Sequence, residues 1–394
     1  LAAKIYVDKT MMIERINEFI DEGNNYVCIS RPRRFGKTIA GNMLSSYYSK
    51  GCDSSELFAP LKIARTAGYK ERLNKLNVIK IDLNSEYQNT IDREDFIEVL
   101  TGKIRKEMIA EYPGADVDEN DSVADAIMKV YVKTKETFVI IIDEYDVLVR
   151  EEVSEKLFAR YLQFLNGLFK SDTLRQAISL AYITGIMPVV RDKIQSKLNN
   201  FREYTILEAG PLAEYIGFTS EEVKELCDKY SVDFNECRVW YDGYRQNGIE
   251  IYNPESVVMS MTEGRFSSYW GRTSTYEAIS DRIENNFDGI KDDVVRMLAG
   301  EEVDVNVTRF MNTMKSFHTK SDAFTYLIHL GYLAYNIDES TCYIPNKEVR
   351  QEWINAIETD ADYKVTDKII KASKELFKET MAGNEEAVAE ALDE

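Results

Sequence analysis

Tyr26-Val27-Cys28-Ile29-Ser30-Arg31-Pro32-Arg33-Arg34-Phe35-Gly36-Lys37-Thr38 is the stretch on which the fold turns. Tyr26 to Ile29 is a short apolar run of the kind a buried strand carries. Beyond Gly36-Lys37-Thr38, the residues Ile39, Met43, Leu44 and Tyr47 recur at helical spacing. Strand, loop, Gly-Lys-Thr and helix together are the setting of a phosphate-binding loop. A helix N-terminus offers unpaired N–H groups and the positive end of the helix dipole to an anion. Lys37 is expected to reach the terminal phosphates of a nucleotide, and the Thr38 hydroxyl to ligate Mg2+. Arg31 stands where the common pattern has its first Gly, Pro32 stiffens the loop, and Arg33 and Arg34 add positive charge beside the phosphates.

A second stretch carries the chemistry. Phe138 to Ile142 is apolar without alternation, which suits a central parallel strand covered on both faces. It ends in Asp143-Glu144, and an acid at that tip faces the crevice where open α/β sheets bind ligands. Asp143 can hold Mg2+, usually through a water. Glu144 is placed to orient or deprotonate the water that attacks a γ-phosphate. A glutamate after the aspartate also favours a hydrolase over a P-loop kinase. Thr184 closes the run Leu180–Thr184 beside the expected γ-phosphate, where it can bond the phosphate or water, or simply a nearby backbone group. Arg150, Arg175, Arg191 and Arg202 are candidates for stabilising transition-state charge.

The remaining pattern alternates. Helices are expected over 11–22, 93–111 and 122–134 and around Leu157–Leu168, with further strands at 78–83 and 204–207. That alternation implies a parallel sheet flanked by helices. After Gly210-Pro211 the pattern changes to a helical unit. It has a capping box at Thr219–Glu222, a helix beginning at Pro254, a helix around Phe324–Leu330, and a hairpin of 332–335 with 342–344. Helix followed by hairpin is compatible with a winged-helix-like unit. The expected division is therefore 1–210 as the ATPase core, 211–357 as a lid, and 358–394 as a charged helical segment leading to a further domain.

Composition narrows the function. The 394 residues are 44% hydrophobic and 30% charged, with a net charge of -19. This is ordinary globular composition, and its acidity argues against a protein that coats nucleic acid. Five scattered cysteines without a CxxC pair argue against disulfides and zinc, and for a reducing, cytoplasmic setting. Only His318 and His329 are present, both expected on helix faces, so histidine catalysis is not expected. There is no apolar run of membrane-spanning length and no signal peptide. The chain begins at Leu1, as an excised or processed piece would.

Several runs carry a resemblance: Tyr6-Val7-Asp8-Lys9-Thr10, Arg31 to Thr38, Ile142-Asp143-Glu144-Tyr145-Asp146 and Tyr182-Ile183-Thr184-Gly185. Gly217-Phe218-Thr219, Trp240 to Tyr244, Tyr252-Asn253-Pro254 and Ile344 to Val349 continue it. Together, over about residues 4–357, they resemble the AAA-ATPase-like family of bacterial and archaeal proteins. In that family Arg-Pro-Arg-Arg-Phe-Gly-Lys is the usual loop, so the resemblance adds Arg31, Arg33, Arg34, Phe35 and Gly36 to Lys37 and Thr38 as nucleotide-binding residues. It implies ATP and Mg2+ as ligands and a P-loop core followed by a helical lid. Members usually continue into a PD-(D/E)XK nuclease domain, which this chain is too short to complete. DNA or that nuclease domain is accordingly an expected partner of the full-length protein. Within the chain, Glu222-Val223-Lys224 has a nuclease-like spelling but lies in a capping box, and Trp240 to Tyr244 and Trp270 read as packing residues. The expectation is a P-loop ATPase that switches its lid and a C-terminal effector by hydrolysis. The alternatives are a nucleotide-dependent interaction module with negligible turnover, and a winged-helix nucleic-acid-binding regulator.

Overall fold

The computed structural model describes residues 5–188, 198–270, 287–309 and 318–357. Five strands form a wholly parallel sheet: β1 (Tyr26–Ser30), β2 (Asn77–Asp82), β3 (Phe138–Asp143), β4 (Ile178–Gly185) and β5 (Arg202–Tyr204). Their order is β2-β3-β4-β1-β5. Every residue of β1 and β3 is buried, as a strand covered on both faces requires. Side chains two apart share a face. Val27, Ile29, Val139, Ile141 and Tyr182 join one core with the helices Met11–Asp21 and Lys37–Tyr48. Cys28, Ile140, Ile142, Ala181 and Ile183 join the opposite core with the helices Phe96–Glu111, Val123–Thr134 and Glu155–Phe169.

Two sequence expectations shift for local reasons. β5 ends at Tyr204 and does not run to residue 207, because Thr205 closes a turn: its hydroxyl accepts from the N–H groups of Leu207 and Glu208, both at 3.1 Å. His318 lies before the helix Lys320–Leu330, not on it. Its N–H donates to Asp322 Oδ2 at 2.9 Å, in the cap that Thr319 and Asp322 build. His329 does lie on that helix and is buried.

The second half carries two small antiparallel sheets among its helices. The expected hairpin is present as β10 (Ala334–Asn336) and β11 (Thr341–Tyr343), and gains a third strand, β9 (Val303–Asp304). The other sheet, β6 (Phe218–Thr219), β7 (Tyr244–Gln246) and β8 (Ile249–Tyr252), is not anticipated by the sequence reading. Asn247 and Gly248, at φ 51° and 78°, form its hairpin turn, the conformation that Asn-Gly favours between strands. One core cluster runs from Met12 and Ile29 through Trp270 and Phe324 to Trp353, so residues 290–305 and 323–353 pack on the same face of the sheet as the helix after the loop. The helical segment expected at 358–394 lies outside the described residues.

Glu348 stitches part of this second half together. It is fully buried and accepts from Ser256 Oγ at 2.9 Å and Tyr269 N at 2.7 Å. Burial pushes its carboxyl up to about 7, against those hydrogen bonds, which pull it down. A carboxyl raised above its unfolded value opposes folding once ionised. Its cost is therefore absent below about pH 4 and complete above about pH 8, and amounts to roughly 3 kcal/mol at most. Glu348→Gln is expected to be more stable than the native chain at pH 8 and equal to it near pH 4.5. Urea denaturation at both pH values tests this; a variant that tracks the native chain across the range shows that Glu348 is not the buried acid.

Candidate functional site

The loop between β1 and its helix lies at the C-terminal tips of the strands. Gly36 caps the helix Lys37–Tyr48 with a left-handed φ of 91° and contributes no side-chain cap, so the N–H groups of the first turn are not spent on a capping side chain. Lys37 is buried, and its Nζ folds back to donate to the carbonyls of Arg31 (2.9 Å) and Pro32 (2.8 Å). Its pKa is lowered to about 8, by burial first and also by Arg150, against the pull of Asp146, Asp143 and Glu144. Three carboxylates thus lie near this ammonium, but among the described residues it makes no ion pair with any of them. Thr38 is exposed at the first turn.

Because β4 lies between β1 and β3, it carries Thr184 to a place between the loop and the acids. Thr184 Oγ1 donates to Asp143 Oδ1, and both residues are buried. Glu144 adopts a left-handed φ of 55°, uncommon for a residue with a side chain. Its carboxylate receives Arg150 Nη2 at 2.8 Å.

The loop arginines part ways. Arg31 is fully buried and points beneath the loop, donating through Nη1 to Ser30 O (2.9 Å) and Tyr204 O (2.8 Å), with Nε and Nη2 unmatched. Burial lowers it to about 9. Arg33 is half-buried. Arg34, at φ 69°, donates to the carbonyl of Tyr269 and pairs with Glu255 at 3.5 Å. Phe35 is buried edge-on against Tyr244, with ring centroids 5.3 Å apart. Pro32 packs on Gly331, where a Cβ would stand 2.9 Å from it and 2.8 Å from the Trp270 ring. The second half of the chain thus holds the loop from outside.

Of the other arginine candidates, Arg175 lies over the Tyr26 ring at 5.9 Å and Arg202 is exposed on β5. Arg191 lies outside the described residues. Trp240 to Tyr244 and Trp270 pack as expected: Tyr244 stacks on Trp270 at 6.5 Å and donates to Gly331 O at 2.6 Å. Glu222 is spent on the cap of its helix and on an ion pair with Lys9 at 2.5 Å. No cluster of three metal-binding His, Cys, Asp or Glu side chains occurs among the described residues. A groove of about 670 Å³ between β2 and the helix Phe96–Glu111 lies at the far edge of the sheet, away from the loop.

Sequence reasoning missed Asp146, Tyr326 and His329. Asp146 is buried, receives the N–H groups of Ile186 (3.0 Å) and Met187 (2.9 Å), and pairs with Arg150 Nε at 3.3 Å. Tyr326 feels the charges of Arg150, Asp146 and Arg33, and burial pushes it up to about 12. His329 is held down at about 3 by burial and by the Arg31 charge, so it is neutral at pH 7. The Asp143-Glu144-Tyr145-Asp146 spelling was a signal for Asp146; nothing local marked the other two.

A family model described as predicted AAA-ATPase, the AAA-ATPase-like family, matches residues 2–195. This stretch is an AAA-ATPase-like domain. The match takes in the loop, both acids at the end of β3 and Thr184. A curated protein of Azotobacter chroococcum mcd 1, described as an uncharacterized protein in the vnfD 5' region, is 23% identical over 289 residues, 71% of this chain. The chain spans about half the length of that relative, 52%. Among solved structures, a Walker-type ATPase of Pyrococcus abyssi is 15% identical with a TM-score of 0.43, over 88% of this chain and 96% of its own. The ORC2 protein of Aeropyrum pernix is 11% identical with a TM-score of 0.38, over 94% and 97% of the two chains. Among the described residues, no helix beside or beyond the AAA-ATPase-like domain is long and apolar enough to cross a membrane.

Proposed function

We propose that the chain binds ATP in the Arg31–Thr38 loop and hydrolyses it with Mg2+. The observation that carries this reading is Lys37: a buried ammonium at a helix N-terminus, bonded only to two loop carbonyls, among three carboxylates at the sheet tips. Lys37 binds the β- and γ-phosphates, and Gly36 and the first-turn N–H groups cradle them. Arg33 and Arg34 supply positive charge at the loop's outer side. Arg31 and Phe35 act from beneath it, fixing its shape through Tyr204 and Tyr244. One hydroxyl and one carboxylate suit a hard cation with oxygen ligands, so Thr38 and Asp143 would hold Mg2+. When bound, Mg2+ would supply neutralisation of the charge developing on the phosphates. Thr184 orients Asp143. Glu144 takes a proton from the water whose oxygen bonds the γ-phosphorus as the bond to the β,γ-bridging oxygen breaks.

The part that responds is residues 211–357. Pro32, Arg34 and Phe35 touch Gly331, Tyr269 and Tyr244, so a loop that tightens on phosphate pulls on that half directly. A C-terminal effector beyond residue 357 is the expected receiver, and DNA its expected target. Lys37→Ala tests the site: calorimetric titration of ATP with Mg2+ should show affinity reduced roughly 10- to 150-fold, the loss of one charge-assisted contact. Equal affinities would mean that the loop is not a phosphate site.

A further inference from the structure

We propose that Arg150 reads the γ-phosphate: it exchanges Glu144 for the terminal phosphate of a bound nucleoside triphosphate, so that the base is freed only when a triphosphate is in the loop. This rests on the nucleotide reading above and extends it.

Arg150 ends a single helical turn, Val147–Arg150, and its side chain is only 10% exposed. Its two anionic partners are unequal. Asp146 is immobile, with a side chain 1% exposed and Oδ2 fixed by the N–H groups of Ile186 and Met187. Glu144 is 32% exposed, with its oxygen on Arg150 Nη2 at 2.8 Å and its backbone in the left-handed region. One carboxylate is therefore an anchor and the other can leave.

A guanidinium this buried cannot simply be released, because an unpaired buried charge is costly. Replacing one anion with another avoids that cost, and phosphate matches the guanidinium fork as well as carboxylate does. Arg150 Nη2 lies on Glu144, which directly follows the last residue of β3, at the strand tips where the loop holding Lys37 also lies. While Glu144 is held by Arg150, its Oε2 is occupied by the guanidinium. A diphosphate has no γ-phosphate to offer and leaves that pair closed.

The test is the ratio of affinities for a non-hydrolysable ATP analogue and for ADP, both with Mg2+, measured by calorimetry. Arg150→Ala should weaken the triphosphate about tenfold or more and change ADP less than about twofold. Glu144→Gln weakens the competing pair, so it should tighten the triphosphate several-fold and leave ADP unchanged. The double variant should follow Arg150→Ala. Arg150→Lys, which keeps the charge and loses the fork, should fall between, and together with Glu144→Gln it decides the matter if Arg150→Ala does not fold. Both nucleotides affected alike, or a ratio unmoved by Glu144→Gln, overturns this inference alone. Wild-type protein that binds neither nucleotide refutes the nucleotide site itself, and this inference with it.

Discussion

Glu144→Gln is expected to lower single-turnover ATP hydrolysis roughly 100- to 10,000-fold, the usual contribution of a positioned base, while ATP binding persists. The substitution keeps the shape of the side chain and removes the group that takes the proton. Glu144 follows the buried Asp143 at the tip of a fully buried strand, so the change should leave the sheet intact. Rapid-quench measurement with enzyme in excess over ATP separates chemistry from release. A rate unchanged in a preparation free of contaminating ATPase would remove Glu144 from its assigned role. It would also favour a module that binds nucleotide and turns over negligibly.

The largest effect on stability is expected at Gly243. Its φ is 108°, and a Cβ there would stand 2.1 Å from the Pro345 carbonyl oxygen and 2.7 Å from its carbon. These are backbone atoms, so no rotamer change relieves the overlap. The two loops are also tied by hydrogen bonds, from Tyr343 OH to Gly243 O at 3.0 Å and from Asn346 Nδ2 to Asp242 O at 2.8 Å. Gly243→Ala therefore combines a disfavoured φ with a clash, at roughly 4 kcal/mol or more. Urea denaturation measures it. A loss below about 1 kcal/mol would mean that residues 242–244 and 344–346 do not meet in solution.

The sheet was legible because its strands are buried on both sides, and uninterrupted apolar runs such as Phe138–Ile142 have few other uses. Lys37, Thr38, Asp143, Glu144 and Thr184 could be singled out because each sits at a junction that pattern alone defines. The small sheet of β6, β7 and β8 could not be seen in this way. Its strands have two to four residues, too few for a period to register, although Asn247-Gly248 was a usable turn signal. Asp146 escaped because its partners are backbone groups 40 and 41 residues later. Arg150 stood out as a cation, but no spacing rule ties it to Glu144 across a left-handed turn. Tyr326 and His329 reach the loop from a helix nearly 300 residues downstream, and only tertiary packing brings them there.

The packing of Pro32 and Trp270 against Gly331 also has a bearing on how the protein is made. A ribosome delivers Gly331 about 300 residues after Lys37, which at roughly 5–20 residues per second is an interval of tens of seconds. Throughout that time the loop lacks the wall that gives it its shape, and the apolar face that later receives Phe324 and Trp353 is open. On the proposed reading, ATP can help to complete folding only after the C-terminal half has emerged.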